Sequence, residues 1–162
     1  MLLEKYIPFI GRGNTEEIRT LAQPMSRLRV LHINSTRLGG GVAEILNRLV
    51  PLMNDVGIQT DWKIFKADEA FFRITKKIHN LLHLKFPTGL NSEEILTFLS
   101  YTYHNYAVLE TDSYDVVFVH DPQPVGLIVK KKENQKWIWR CHIDLSTPTK
   151  SVLDFVETFS RG

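Results

Sequence analysis

Residues 28–54 read LRVLHINSTRLGGGVAEILNRLVPLMN, an apolar strand that runs through three glycines straight into an amphipathic helix. A chain that alternates strand and helix in this way builds a doubly wound parallel sheet, and the alternation recurs downstream. Gly39, Gly40 and Gly41 let the backbone approach a ligand without Cβ interference. The helix beginning near Val42 aims its positive dipole end at the same spot. The spacing is not G-x-G-x-x-G, and no Gly-Lys-Ser/Thr follows to make a Walker A box. The junction therefore reads as a sugar or nucleotide-sugar site more than a dinucleotide or ATP site. Its plainer alternative is glycine serving only tight helix–sheet packing.

The remaining chain supplies further βα units. Residues 1–27 form an N-terminal arm, with an extended piece over Lys5–Phe9 and a helix capped by Asn14 or Thr15. The helix after the glycines buries Val42, Ile45, Leu46, Leu49, Leu52 and Met53, with a kink or early end at Pro51 and a stop at Gly57. A strand covers Gln59 to Phe65. The helix lined by Phe71, Phe72, Ile74, Ile78, Leu81 and Leu82 breaks at Phe86-Pro87-Thr88-Gly89. Asn91 or Ser92 caps a second long helix through Leu109. Tyr114 to Val119 then has the continuous apolar character of a strand covered on both faces. A short helix over 124–132, a strand over Trp137–Cys141 and a last helix over Ser151–Phe159 complete the α/β pattern.

Bulk properties exclude several classes. A chain of 162 residues with 43% hydrophobic and 23% charged residues is one soluble domain with a real core. A net charge of +2 offers no concentrated basic face for nucleic acid. The Lys130-Lys131-Lys132 run suits the polar end of a surface helix. One cysteine, Cys141, excludes an intramolecular disulfide and fits a buried structural thiol in a reducing compartment. No apolar stretch spans a bilayer, and Glu4 with no small-residue cleavage site argues against a signal peptide, so the cytoplasm is expected.

Three strand ends finish in polar clusters: His32-Ile33-Asn34-Ser35-Thr36, His120-Asp121-Pro122-Gln123-Pro124 and His142-Ile143-Asp144-Leu145-Ser146. In a parallel sheet all three fall at one rim, where open α/β sheets bind ligands. Asp, Asn, Gln, His and Thr hydrogen-bond sugar hydroxyls with directionality. No G-x-S-x-G elbow supplies a serine nucleophile. His120, Asp121 and His142 contain metal-ligating atoms but lack the usual zinc spacing, so no metal is expected. His79 and His83, at i,i+4 without the H-E-x-x-H glutamate, read as a solvated or inter-domain face.

The segments HINSTRLGGGVAEIL, VFVHDPQPVGLI and WIWRCHIDLSTP, in this order, resemble the N-terminal domain of archaeal trehalose glycosyltransferring synthases, retaining GT-B enzymes of glycosyltransferase family 4. The resemblance implies that residues 28–162 are a Rossmann-like, acceptor-side half of a GT-B fold. It implies transfer of glucose from a nucleoside diphosphate glucose to free glucose, giving trehalose, with no further cofactor. By the same resemblance His142 contacts the transferred sugar as the catalytic position. By it too, Gly39, Gly40 and Gly41 line the cleft, Asp121 and Gln123 hold acceptor hydroxyls, and Glu44 and Asp144 are further substrate-binding positions. The family's second domain, which binds the nucleotide sugar, is expected to be absent from these residues. The chain alone is then expected to be inactive, to need that domain or a partner chain, and to pair as a homodimer through uncovered surface. Alternatives are a stand-alone sugar-binding or regulatory module, and a scaffold using Phe71, Phe72, Tyr101, Tyr103 and Tyr106 on an exposed face.

Overall fold

The computed structural model describes residues 1–83 and 88–160. Four strands form one all-parallel sheet: β1 (Arg29–Asn34), β2 (Gln59–Ile64), β3 (Val116–His120) and β4 (Lys136–Arg140), in the order β2-β1-β3-β4. Helix α1 spans Ile7–Ala22 and α2 spans Gly41–Asp55, the latter joining β1 to β2. Helices α3 (Glu69–His83) and α4 (Ser92–Leu109) carry the chain back past β1 to β3, and α5 (Lys150–Ser160) follows β4. The order reverses between β1 and β3, which makes their carboxyl ends the topological switch point.

Alternation along the strands sends side chains to two differently covered faces. Leu31, Ile33, Val117 and Val119 pack with Phe71, Ile78, Phe98, Val152 and Val156 of α3, α4 and α5. Val30 packs with Ala22 of α1 and Ile58, while Trp62 meets Ala43 and Leu46 of α2. Helices thus cover both faces, the doubly wound, Rossmann-like arrangement expected from the sequence. Among the described residues no helix is long and apolar enough to cross a membrane.

Several local expectations need correction. Lys5–Phe9 is helical: a 3₁₀ turn over Leu3–Tyr6 runs into α1, whose first turn contains Pro8. Pro is pre-organised for that position, a start signal that the extended reading passed over. Asn14 and Thr15 do not cap; their side chains donate back to the carbonyls of Ile10 and Gly11. The break lies at Gly11, whose φ of 78° interrupts α1. Helix α2 continues through Pro51 to Asp55. Pro51 and Asn47, whose carbonyl loses its partner, are both exposed, so water can satisfy the freed group. Ile45 stands open on the outer face, and Ala43 is the buried residue of that turn. The short helix expected over 124–132 is present over Val125–Lys130, with 3₁₀ geometry. In the expected break after α3, Phe86 and Pro87 lie outside the described residues, and Thr88-Gly89 is irregular.

The aromatic segment divides between core and surface. Phe71 is fully buried, with ring centroids 5.1 Å from Phe65, 5.2 Å from Tyr101 and 5.7 Å from Phe98. Phe72 and Tyr103 are exposed, while Tyr101 and Tyr106 are half-buried. The lysine run is specifically engaged: Lys130 lies over the Tyr103 and Tyr106 rings, and Lys132 pairs with Asp112 at 2.8 Å. Cys141 is half-buried, and burial pushes its thiol up, which disfavours the nucleophilic thiolate.

Asn91 caps α4 in a complete capping box: its side chain accepts from the Glu94 N–H at 2.9 Å, and Glu94 accepts from the Asn91 N–H at 2.8 Å. Replacing Asn91 by Ala should cost about 1 kcal/mol. Phe71→Ala should cost roughly 3–5 kcal/mol, because it opens a cavity among packed rings. Urea unfolding of both variants measures this ranking; equal losses would contradict the assignment of Phe71 to the core.

Candidate functional site

Three histidines climb one sheet face toward the carboxyl rim. In the strand register His32 lies opposite Phe118, so His120 stands two residues farther along β3. His120 in turn lies opposite Arg140, so His142 stands two residues beyond its counterpart on β4. Each diagonal step brings successive imidazoles within reach. His32 Nδ1 lies 3.0 Å from His120 Nε2, and His120 Nδ1 lies 3.0 Å from His142 Nε2. The rings stack at 5.3 Å in both steps, and His32 also stacks on Phe118 at 4.7 Å. His32 and His120 are only 2% and 1% exposed, whereas His142 reaches solvent.

Burial removes the inner pair from ordinary histidine titration. Desolvation pushes His32 down to about 4, with Arg140 adding repulsion. Desolvation, followed by repulsion from His32, His142 and Arg140, pushes His120 down to about 3. Both are neutral near neutrality, each offering one donor and one acceptor.

The turn after β3 holds His142 a second time. Asp121 Oδ1 accepts the His142 backbone N–H at 2.8 Å, and the Trp139 indole donates to the Asp121 carbonyl at 3.0 Å. Asp121 has a φ of 63°, a left-handed conformation unusual outside glycine, at the point where the chain leaves β3. One of its oxygens therefore has a structural duty besides any ligand contact. Gln123 is half-buried in the same turn. Asp144 closes the third turn, its Oδ1 accepting from the Ser146 N–H at 2.9 Å and the Ser146 hydroxyl at 2.5 Å. Those bonds hold its carboxyl below the usual range. His79 on α3 comes near enough to feel the Asp121 charge, while burial pushes it down overall.

The glycine loop leaves the end of β1, beside β3. Trp62 donates to Asn34 Oδ1 at 2.6 Å, Asn34 donates to the Thr36 carbonyl at 2.8 Å, and the Arg37 guanidinium covers the Trp62 ring at 4.8 Å. Gly39 and Gly40 have φ of 74° and 83°, which only glycine adopts easily. A Cβ at any of the three would meet nothing within 4 Å, so close helix–sheet packing is not what selects them. Glu44 is exposed in the first turn of α2.

His142, Asp121, Gln123 and Asp144 thus gather on the turns after β3 and β4, with the glycine loop at the neighbouring strand end. Gly41 and Glu44 instead border an open depression of about 1050 Å³ on the outer face of α2, with Ile45, Arg48, Leu49 and Leu52. None of the rim histidines or aspartates lines it. Its lining, Glu44, Asn47 and Arg48 included, comes from α2 alone, whereas the rim gathers side chains from several strand-end turns and is the better chemical site. Among the described residues no group of three or more His, Cys, Asp or Glu is placed to hold a metal. Sequence reading set His32 and His120 in strand-end clusters at a ligand-binding rim and weighed His120 as a metal ligand; it missed their direct contact, for which the only signal was a histidine near the end of each of three strands.

Residues 32–162 match the family described as trehalose synthase, N-terminal domain. The chain is 41% identical to a trehalose synthase of Thermococcus litoralis over 98% of its own length and 40% of the relative's. It is 42% identical to a trehalose synthase of Rubrobacter xylanophilus over 95% of its length and 38% of the relative's. A trehalose phosphorylase of Pleurotus pulmonarius is 28% identical over 88% of the chain and 21% of the relative. The chain therefore spans about 40% of the length of the trehalose synthases it matches.

The buried histidines predict a pH dependence of stability. Unfolded histidine binds its proton near 6.5, whereas folded His32 and His120 do so only near about 4 and about 3. Below 6.5 the unfolded chain binds more protons, so acid progressively removes stability. Between about pH 6.5 and about pH 5 carboxylates contribute little, which isolates the histidines. The urea midpoint should fall between about pH 7 and about pH 5, and less so in His120→Phe. A midpoint unchanged across that window contradicts neutral burial.

Proposed function

Since the chain belongs to the family of trehalose synthase N-terminal domains, we propose that its strand-end rim holds glucose as the acceptor of a retaining glucosyl transfer that makes trehalose. The observation that carries this reading is the convergence of Asp121, Gln123 and Asp144 at the strand-end rim, beside His142, which is fixed through ring and backbone where it would meet the transferred glucosyl group. The relatives' names lend support. Synthase and phosphorylase share trehalose and differ in the other half of the reaction, so a segment similar to both fits the shared sugar.

The glucosyl group comes from a nucleoside diphosphate glucose, with no other cofactor. Its phosphates, like the acceptor, approach Gly39, Gly40 and Gly41, where the α2 N-terminus favours negative charge. The C1–O bond to phosphate breaks, the acceptor hydroxyl oxygen bonds C1 from the same face, and the leaving phosphate takes the hydroxyl proton. The protein contributes orientation and charge stabilisation. We place the residues that bind the nucleotide in the part of the relatives' length outside this match.

Calorimetric titration of the 162-residue chain tests the acceptor assignment. Glucose should bind in the millimolar range, and Gln123→Ala should weaken it by about 1 kcal/mol, or roughly fivefold. Undetectable binding of both glucose and trehalose overturns the reading. Mixed with nucleoside diphosphate glucose and glucose, the chain alone should form no trehalose; product formation would contradict a donor site lying elsewhere.

A further inference from the structure

The histidine ladder has a direction, and its buried end sets it. Each neutral imidazole carries one N–H, so each N···N contact of 3.0 Å contains one proton, and the two contacts must be ordered consistently. In the outward order His32 Nδ1–H donates to His120 Nε2, and His120 Nδ1–H donates to His142 Nε2. In the inward order every ring carries its proton on Nε2 and donates toward His32. The orders differ at His32 Nε2, which is buried and has no hydrogen-bond partner among the described residues. The outward order leaves there a bare acceptor, whereas the inward order strands an N–H donor, the rarer and costlier defect.

We infer that His32 and His120 are positioning residues that fix His142 in the tautomer with its proton on Nδ1, so that it offers a sugar oxygen a hydrogen-bond donor. This goes beyond the proposed contact between His142 and sugar, and rests on it only for the identity of the ligand. In this order His142 Nε2 is occupied by the His120 N–H, and His142 Nδ1 carries a proton. Neither ring nitrogen keeps a free lone pair, so His142 cannot take the proton of the attacking hydroxyl. That proton must leave by another group, which is the task assigned above to the departing phosphate. Among the described residues no side chain or backbone group hydrogen-bonds the inner end of the ladder at His32 Nε2 to carry a proton onward. Burial keeps the two inner rings neutral over the pH range in which this ordering operates.

Long-range proton–nitrogen correlation spectra of the chain, labelled with ¹⁵N in its imidazoles and free of sugar, read each tautomer directly. His32, His120 and His142 should all be protonated on Nδ1, the minor form of free histidine. Protonation of His120 or His142 on Nε2 overturns the inference, and this spectrum decides even where variants fail to fold. In His120→Phe, His142 should revert to the Nε2–H form that free histidine prefers. His120→Asn, whose amide N–H can stand in for Nδ1–H, should restore the Nδ1–H form. Retention of Nδ1–H in His120→Phe would show that the ladder does not position His142. Because no sugar is present, failure of glucose to bind counts against the acceptor reading and leaves this result intact.

Discussion

The site depends on the parallel pairing of β1 with β3. His32 and His120 stand 88 residues apart in sequence, and only the crossover through α3 and α4 sets them in neighbouring strands. Register matters as much as adjacency. A one-residue slip of β3 against β1 would turn His120 to the face opposite His32 and carry Val117 and Val119 out of the core. A slip of two would preserve the apolar pattern but separate the imidazoles. The hydrophobic core therefore selects the face, and the ladder selects among the registers that the core permits.

A core position favours an apolar side chain, and half-satisfied polar groups there carry a high cost in low dielectric. His32 meets part of that cost by stacking on Phe118, and His120 by engaging both ring nitrogens. One nitrogen remains unpaired at His32. Violations of local packing rules concentrate where function requires them. At the outer end of the ladder His142 is exposed and is held again by Asp121. The strained backbone of Asp121 and the left-handed glycines after β1 belong to the same rim.

Much of this was legible in the chain before folding. Alternating βα segments, the glycine junction, the capping residue before Ser92 and the polar ends of three strands are local patterns, and local patterns survive in sequence. What failed were competitions between signals. Gly11 and Gly13 obscured the helix that Pro8 starts, and Pro51 suggested an ending in a helix whose freed carbonyl faces water. The ladder was beyond reach for a different reason. Its geometry arises from the two-residue offsets between strands, and no single segment contains that information. Phe71 and Tyr103 likewise look alike in sequence, and only packing separates the buried ring from the exposed one.

The family match is to trehalose synthase N-terminal domains, and the strand-end turns bring together His142, Asp121, Gln123 and Asp144, side chains able to hydrogen-bond hydroxyl groups. The central claim is that the three strand-end turns act together as one sugar site, distinct from the open face of α2. Amide chemical-shift mapping during a glucose titration tests it most directly. The amides of His142, Asp121 and the Gly39–Gly41 loop should shift together along a single saturation curve. Shifts confined to Ile45, Arg48 and Leu52 on α2, or separate curves for the three turns, would contradict it.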